Sequence, residues 1–266
     1  MLSMTAPDAG PSNSLERALK ILDMIGHAPG GLTNKEISQL LRIATSSTSY
    51  ILQRLEREGY VKREPNGRYE IGLRVLSLAS GVLRVLGFHH SAAPVLHRLT
   101  KATRLSSYVG VLDRGRMMVV EQVESPDFIR PEIDIGTEHP AYSTAMGKML
   151  LAHLPEEQLQ AYLARELPKR TPHTIVSKLK LREELQSIHR AGFAISEQEE
   201  FVGVRAVAAP IPDASGNVKA SVAVAGPVSL PVWREVKDVV ALVQVAGHDI
   251  SRNMRARTRP AIHSTF

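Results

Sequence analysis

Residues 33–72 read TNKEISQLLRIATSSTSYILQRLEREGYVKREPNGRYEIG, and the N-terminal fold turns on the middle of that stretch. Five hydroxyl residues, Thr45 to Ser49, stand in a row ahead of Tyr50 and a helical pattern. Ser and Thr suit helix interiors poorly, because their side chains compete for nearby backbone groups. A cap needs only one of them. Thr48, however, is in phase with Ile51, Leu52 and Leu55, the spacing of one helical face. That phase sends Thr48 into a core and leaves Thr45, Ser46, Ser47, Ser49, Tyr50, Gln53 and Arg54 facing outward, mostly near the helix N-terminus.

Working outward, Thr33 and Glu36 form a capping box for a helix expected to bury Ile37, Leu40 and Leu41. The turn Arg42-Ile43-Ala44 then leads into the hydroxyl-rich helix. Two helices joined by a tight turn make a helix-turn-helix. Downstream, GYVKREPNGRYEIG alternates around Pro-Asn-Gly, the pattern of a β-hairpin, so the domain is winged. Upstream, Asn13 and Glu16 form a second capping box. It opens a helix whose inward face is expected to be Leu15, Ala18, Leu19, Leu22 and Ile25. A recognition helix meets base edges with its N-terminal positions. Hydroxyls there can cap the helix, bond phosphates and touch bases. The expected groove-facing residues are therefore Thr45, Ser46, Ser47, Ser49, Tyr50 and Arg54, with Lys62, Arg63 and Arg68 of the wing beside phosphates.

Global properties agree. At 266 residues two domains are the natural expectation. No window approaches the roughly 18 apolar residues of a membrane span. The start, MLSMTAPDAGPSN, lacks the layout of a secretory signal and reads as a disordered tail. The chain has no cysteine, which removes disulfides, thiol catalysis and thiolate metal sites, and suits a reducing cytoplasm. The net charge of +6 divides unevenly, with +3 over residues 1–87, −1 over 88–250 and +4 over 251–266. The basic excess thus falls at the two ends of the chain.

Residues 72–87, GLRVLSLASGVLRVLG, carry two apolar stripes, one of Leu73, Leu76, Ser80 and Leu83, the other of Val75, Ala79, Val82 and Leu86. Two stripes need two partners. The second is most simply the same helix of another subunit, and a two-fold dimer matches a palindromic operator. From residue 88 the chain mixes strands and helices. SSYVGVLDRGRMMVVEQVE is a strand pair around Asp-Arg-Gly, and SEQEEFVGVRAVAAPIPDASGNVKASVAVAGP is another. Helices are expected from about Ser143, Pro155, Lys178 and Pro231. The stretch holds no Gly-x-Ser-x-Gly elbow, no phosphate-binding loop and no dinucleotide glycine fingerprint. His90 and His97 stand two helical turns apart, about 10 Å, too far for easy shared ligation. No enzyme, no metal and no cofactor is expected.

The stretches SLERALKIL, GLTNKEISQLLRIATSSTSYILQRLEREGYVKREPNGRYEIGLRVLSL, GTEHPAYSTAMGKMLLAHLP, LREELQSIHRAGFAIS and GVRAVAAPIPDASGNVKASVAVAGP follow one another in the order of the IclR family of bacterial transcription factors, which the chain resembles over residues 14–250. The resemblance implies an α/β (α+β) organisation: a tail (1–13), a winged helix-turn-helix DNA-binding domain (14–71), a linker and dimerisation helix (72–87), a GAF-like effector-binding domain with an antiparallel sheet (88–252) and a basic tail (253–266). It implies a double-stranded DNA operator, a small organic acid effector and a homodimer or homotetramer, without membrane attachment. Ala44-Thr45 and Ser49-Tyr50 replace the Pro-basic and His-Arg pairs common in the family, so the family's operator sequences do not carry over.

Matching motif to motif, the family's effector positions fall on Phe128, Ala145, Ser196, Val204, Ala206, Ala223 and Ala225. Members that bind very small keto acids use Asp, Cys and Ser where this chain has Ser196, Ala206, Ala223 and Ala225. Leaving a buried polar group unpaired costs about 1–3 kcal/mol, so the exchange to methyls favours an aromatic or similarly bulky carboxylate. Its acid group is expected at the free N–H groups near Thr144 and Ala145 of a helix capped by Ser143. Lys148 is expected to face solvent.

Overall fold

In the computed structural model, which describes residues 13–86, 88–127 and 133–258, the chain divides into two units between residues 85 and 86. The expected tail up to residue 12 and the position of Phe128 lie outside the described residues.

In the first unit α1 (Ser14–Gly26) starts at Asn13, whose side chain accepts the Glu16 N–H. Its inward face is Ala18, Ile21, Leu22 and Ile25. Leu15 and Leu19, expected inside, are exposed. The sequence count placed the stripe about one residue off, because α1 meets the core mainly with its second half. Strand β1 (Leu32–Thr33) precedes α2 (Asn34–Leu41), and the Thr33–Glu36 capping box is present in both directions. α2 buries Ile37, Ser38 and Leu41 but leaves Leu40 64% exposed. Leu40 lies about a sixth of a turn beyond the arc those three residues define on a helix of 3.6 residues per turn.

Arg42, in the left-handed region at φ 53, makes the tight turn into α3 (Thr45–Arg57). Thr48, Ile51 and Leu52 face inward as the phase requires. The wing is β2 (Val61–Arg63) and β3 (Arg68–Ile71), and β1 adds a third antiparallel strand on the far side of β3. A two-residue strand carries no periodicity by which the sequence could have revealed it. α4 (Arg74–Leu86) follows, with Leu73, Leu76, Leu78 and Val82 exposed.

The second unit begins with α5 (Phe88–Thr103). β4 (Ser106–Asp113) and β5 (Arg116–Val123) are joined by Arg114 and Gly115, both at positive φ (47° and 80°), the backbone of a type I′ turn. Then come β6 (Glu138–Pro140), α6 (Ala145–Leu151), α7 (Glu156–Leu163) and α8 (Lys178–Ala191). Three strands follow where two were expected: β7 (Ala194–Glu197), β8 (Val204–Pro212) and β9 (Val218–Pro227). The last helix is α9 (Val236–Thr258), so the basic tail expected from residue 253 is helical through Thr258.

The strands form one antiparallel sheet in the order β6-β5-β4-β9-β8-β7. Period-two alternation sorts its side chains onto two faces. Val109, Val207, Val222 and Val224 pack with α5 and α9 residues such as Leu96, Leu99 and Val243. Tyr108, Ala208 and Ala223 pack on the other face with Met149, Leu181 and Leu185 of α6 and α8. α6 lies close against the segment before it. A Cβ on Gly147 would stand 2.3 Å from the Ala141 carbonyl oxygen, so only glycine fits there.

Candidate functional site

The outward face of α3 bears the residues expected in a groove. Thr45, Ser46, Tyr50 and Arg54 are exposed, and Ser47 and Ser49 partly so. None of the hydroxyls caps the helix, contrary to one of the roles expected for them. The cap position is Ala44, which has no side chain to accept a bond. The first N–H groups of α3 therefore have no side-chain cap and stand beside exposed hydroxyls, an arrangement that suits a phosphate oxygen. Thr48 bonds back to the Ala44 carbonyl, and Thr45 shares a hydrogen bond with Ser38 of α2. The Arg54 guanidinium lies over the Tyr50 ring, 4.7 Å from its centroid, and donates to its hydroxyl. One side chain thus orients the other.

On the wing, Lys62 is exposed and pairs with Glu64 at 2.6 Å, a bond that raises the lysine above its ordinary pKa. Arg63 sits over the Tyr69 ring. Arg68 departs from the expected phosphate contact. Its guanidinium donates to the carbonyls of Gly30 and Gly31, at 2.9 Å each, and pairs with Glu36 at 3.2 Å. It ties β3 to the α1–β1 turn and to the start of α2.

In the second unit Thr144, Ala145, Ser196, Val204, Ala206, Ala223 and Ala225 line one cavity. It holds about 520 Å³ of space free of atoms, open solvent at its mouth included, of which about 60 Å³ admits the centre of a water molecule. The floor is the α6-facing side of β4, β8 and β9, where Ala206 pairs with Ala225 and Ala208 with Ala223 across the strands. Alanines there leave room that larger side chains would fill. Tyr108, Met117, Ile133, Met146 and Phe201 complete the wall, and His139 and Glu200 supply its polar side. The sequence reading missed these seven. Tyr108 and Met117 were within reach of strand alternation; His139, Glu200 and Phe201 sit on a three-residue strand and a loop that carry no period.

The start of α6 also differs from expectation. Residues 141–143 form a 3-10 turn, and the cap is Thr144, whose Oγ accepts the Gly147 N–H, rather than Ser143. Ser143 instead donates to Glu200 at 2.6 Å and accepts, through its carbonyl, the Ser196 hydroxyl at 2.9 Å. Glu200 is buried and held at 3.2 Å by Arg170. Burial is the largest single influence and pushes its pKa up. The bonds from His139 and Ser143 and the Arg170 charge together outweigh it and hold the carboxyl below its usual range.

Lys148, expected in solvent, is fully buried. Its ammonium bonds Glu199 at 2.6 Å and Glu184 at 3.1 Å. α6 is covered on every side, all seven of its residues being buried. A helix of two turns with a single charged residue shows no polar face from which that could be read. Burial raises the pKa of Glu199, against the opposing pull of Lys148.

Two family models match the chain, the IclR helix-turn-helix domain over residues 14–65 and the bacterial transcriptional regulator IclR C-terminal domain over residues 80–252. The transcriptional repressor IclR of Escherichia coli K12 is 28% identical over 251 residues, 93% of this chain and 92% of that protein. The HTH-type transcriptional regulator BhcR of Paracoccus denitrificans is 32% identical, over 84% of this chain and 80% of that protein. The Thermotoga maritima IclR structure superposes with a TM-score of 0.75 at 29% identity, over 91% and 98% of the two chains. An IclR homolog from Microbacterium hydrocarbonoxydans, solved in complex with 4-hydroxybenzoate, shares the fold with a TM-score of 0.84 at 22% identity, over 92% and 100%.

Proposed function

The chain belongs to the IclR family of bacterial transcriptional regulators, and from that premise we propose that it is a cytoplasmic homodimer or homotetramer that binds a palindromic operator and releases or grips it in response to an aromatic or similarly bulky carboxylic acid. DNA binding through the helix-turn-helix and a C-terminal effector domain come with the family; its relatives are regulators, not enzymes. The operator's symmetry, the assembly and the effector's chemistry are our reading.

One observation carries the effector reading. Seven residues drawn from scattered motifs line a single cavity whose floor is alanine. An apolar body fits that floor at little cost, because the methyls there leave no polar group unpaired. The side-chain hydroxyls around it are engaged within the protein: Thr144 donates to the Pro140 carbonyl and Ser196 to that of Ser143. The donors left for a carboxylate are backbone N–H groups at Ala145 and Met146, which precede the first intrahelical acceptor. α6 is too short for its dipole to matter much, so local hydrogen bonds carry the recognition. The 4-hydroxybenzoate held by the Microbacterium homolog is a ligand of this class.

The test compares aromatic and aliphatic acids with their amides, by thermal shift of the full-length protein and by its affinity for operator DNA. A ligand of the folded state raises the melting temperature. Acids should stabilise the protein and change its hold on DNA, and amides should do so at least about tenfold less well. Equal affinity of an acid and its amide removes the carboxylate from the reading. An inert panel removes the effector.

A further inference from the structure

A second groove of the C-terminal unit shares no lining residue with the alanine-floored cavity. α6 lies between the two, with Ala145 and Met146 on the cavity and Leu150 on the groove. The groove holds about 1050 Å³ of space free of atoms, open solvent at its mouth included. Its floor is Leu112, Leu150, Leu154 and Val218. Leu112, Leu154 and Val218 are only partly buried, so apolar surface is left for a ligand to cover. The rim is cationic. Arg114, Arg165 and Lys219 line it beside Gln158, and no Asp or Glu does.

Arg165 is held in place there. Its Nη1 donates to the Arg114 carbonyl at 2.9 Å, and its guanidinium lies 5.7 Å from the centre of the Tyr162 ring. Gly115 makes room for it, since a Cβ there would stand 2.3 Å from Nη1. The carbonyl takes one of the five N–H donors of a guanidinium. Lys219 reaches the groove by strand alternation. Ser221, two residues on, donates to the Met146 carbonyl of α6, so both side chains stand on the α6 side of β9. Among the described residues neither Arg165 nor Lys219 pairs with a carboxylate, and Arg114 meets only its neighbour Asp113, at 3.7 Å. A cleft lined by charges of one sign focuses its field and gathers counter-ions.

We propose that this groove is a second ligand site, which takes an organic phosphate with its phosphoryl group on Arg165, Lys219 and Arg114 and its apolar body on Leu112, Leu150, Leu154 and Val218. Three cations without a carboxylate among them match a doubly charged head better than a single carboxylate. A guanidinium fixed by its surroundings presents its remaining donors as a fork, the geometry that phosphate oxygens accept. The apolar floor selects an ester over the bare ion. The inference is independent of the acid-effector reading, because it uses none of that cavity's residues.

Isothermal titration of the full-length protein at low ionic strength, with naphthyl phosphate, naphthol and inorganic phosphate, tests it. The ester should bind about tenfold or more tighter than either half alone, since each half forgoes one set of contacts. Arg165→Gln and Lys219→Gln should each weaken the ester about fivefold or more and leave naphthol unchanged. Neither residue lines the alanine-floored cavity, so that loss assigns the ester to the groove. Arg165 also braces the β4–β5 turn, and Lys219→Gln is the decisive variant if Arg165→Gln fails to melt cooperatively. Unchanged ester affinity in folded Lys219→Gln overturns the proposal. So does a wild type that binds no ester, or binds it no tighter than inorganic phosphate. Lys219→Glu that changes the mass seen by light scattering would make the groove a contact between copies of the chain. Poly-glutamate that displaces the ester at lower concentration would give the groove to an acidic protein segment. Either result overturns the small-molecule assignment.

Discussion

Replacing Lys148 with Met removes the one cation between two carboxylates and keeps nearly the same volume. Lys148 and Glu199 are 0% and 5% exposed, and their 2.6 Å contact is the short one of the pair. Glu184, at 3.1 Å, has a side chain more than one-third exposed, and water can hydrate it when the ammonium is gone. Glu199 has no such recourse, and its Oε2 already lacks a hydrogen bond. Breaking a buried pair from one side costs about 3–5 kcal/mol, because the remaining charge is left uncompensated. At about 2–4 °C per kcal/mol for a domain of this size, the melting temperature should fall by about 10 °C. pH separates this cause from a packing defect. Burial raises the Glu199 pKa even with Lys148 in place, and removing Lys148 raises it further. A carboxyl whose pKa is raised by folding stabilises the fold only while protonated, a contribution lost as pH climbs through the folded-state value. The deficit of Lys148→Met relative to wild type should therefore widen as pH rises above the ordinary carboxylate range. Adding Glu199→Gln should recover most of it. Urea denaturation at several pH values provides the numbers. A loss below about 1 kcal/mol, or a deficit that ignores both pH and the second substitution, refutes the argument.

Three further outcomes follow from the N-terminal unit and the helix after it. Arg54→Ala should cost about 1–3 kcal/mol of operator binding and relax sequence preference, as expected of a base-reading arginine; uniform loss over all sequences would make Arg54 a phosphate contact. Arg68→Ala should lower the stability of the unit by about 1 kcal/mol, discounted because the side chain is one-third exposed. It should leave the salt dependence of DNA binding alone, and a slope reduced by about 1 would return Arg68 to the phosphates. Leu76→Asp puts a charge on a helix face where Leu76 is 64% exposed in the single chain. Light scattering should show a smaller species with weaker operator binding, and a mutant of unchanged mass would place the dimer contact elsewhere.

What could be read in advance followed from whether a position belongs to a periodic element or to a place where elements meet. Thr48, Ile51 and Leu52 were recoverable because three turns of α3 repeat one phase. Val222 and Val224 of β9 were assignable to one face and Ala223 and Ala225 to the other because a strand alternates. Ala223 and Ala225 came from the family resemblance, whereas Tyr108, paired with Ala223 across the strands, was within reach of alternation along β4. Lys148, Arg68 and His139 obey no such rule. Each is polar, each sits on or next to an element of two to seven residues, and each partner lies more than 30 positions away. A lone cation in a short helix normally faces water, because burying it unpaired is prohibitive. Here Glu199 reverses the sign from a loop with no pattern of its own. That loop carries Glu199 toward Lys148 beneath α6 and, at the next residue, Glu200 toward His139 in the cavity. The side chain that pairs with His139 on the cavity wall and the one that anchors α6 are therefore consecutive in the chain. A change that displaces this short segment should disturb the cavity wall and the buried lysine together.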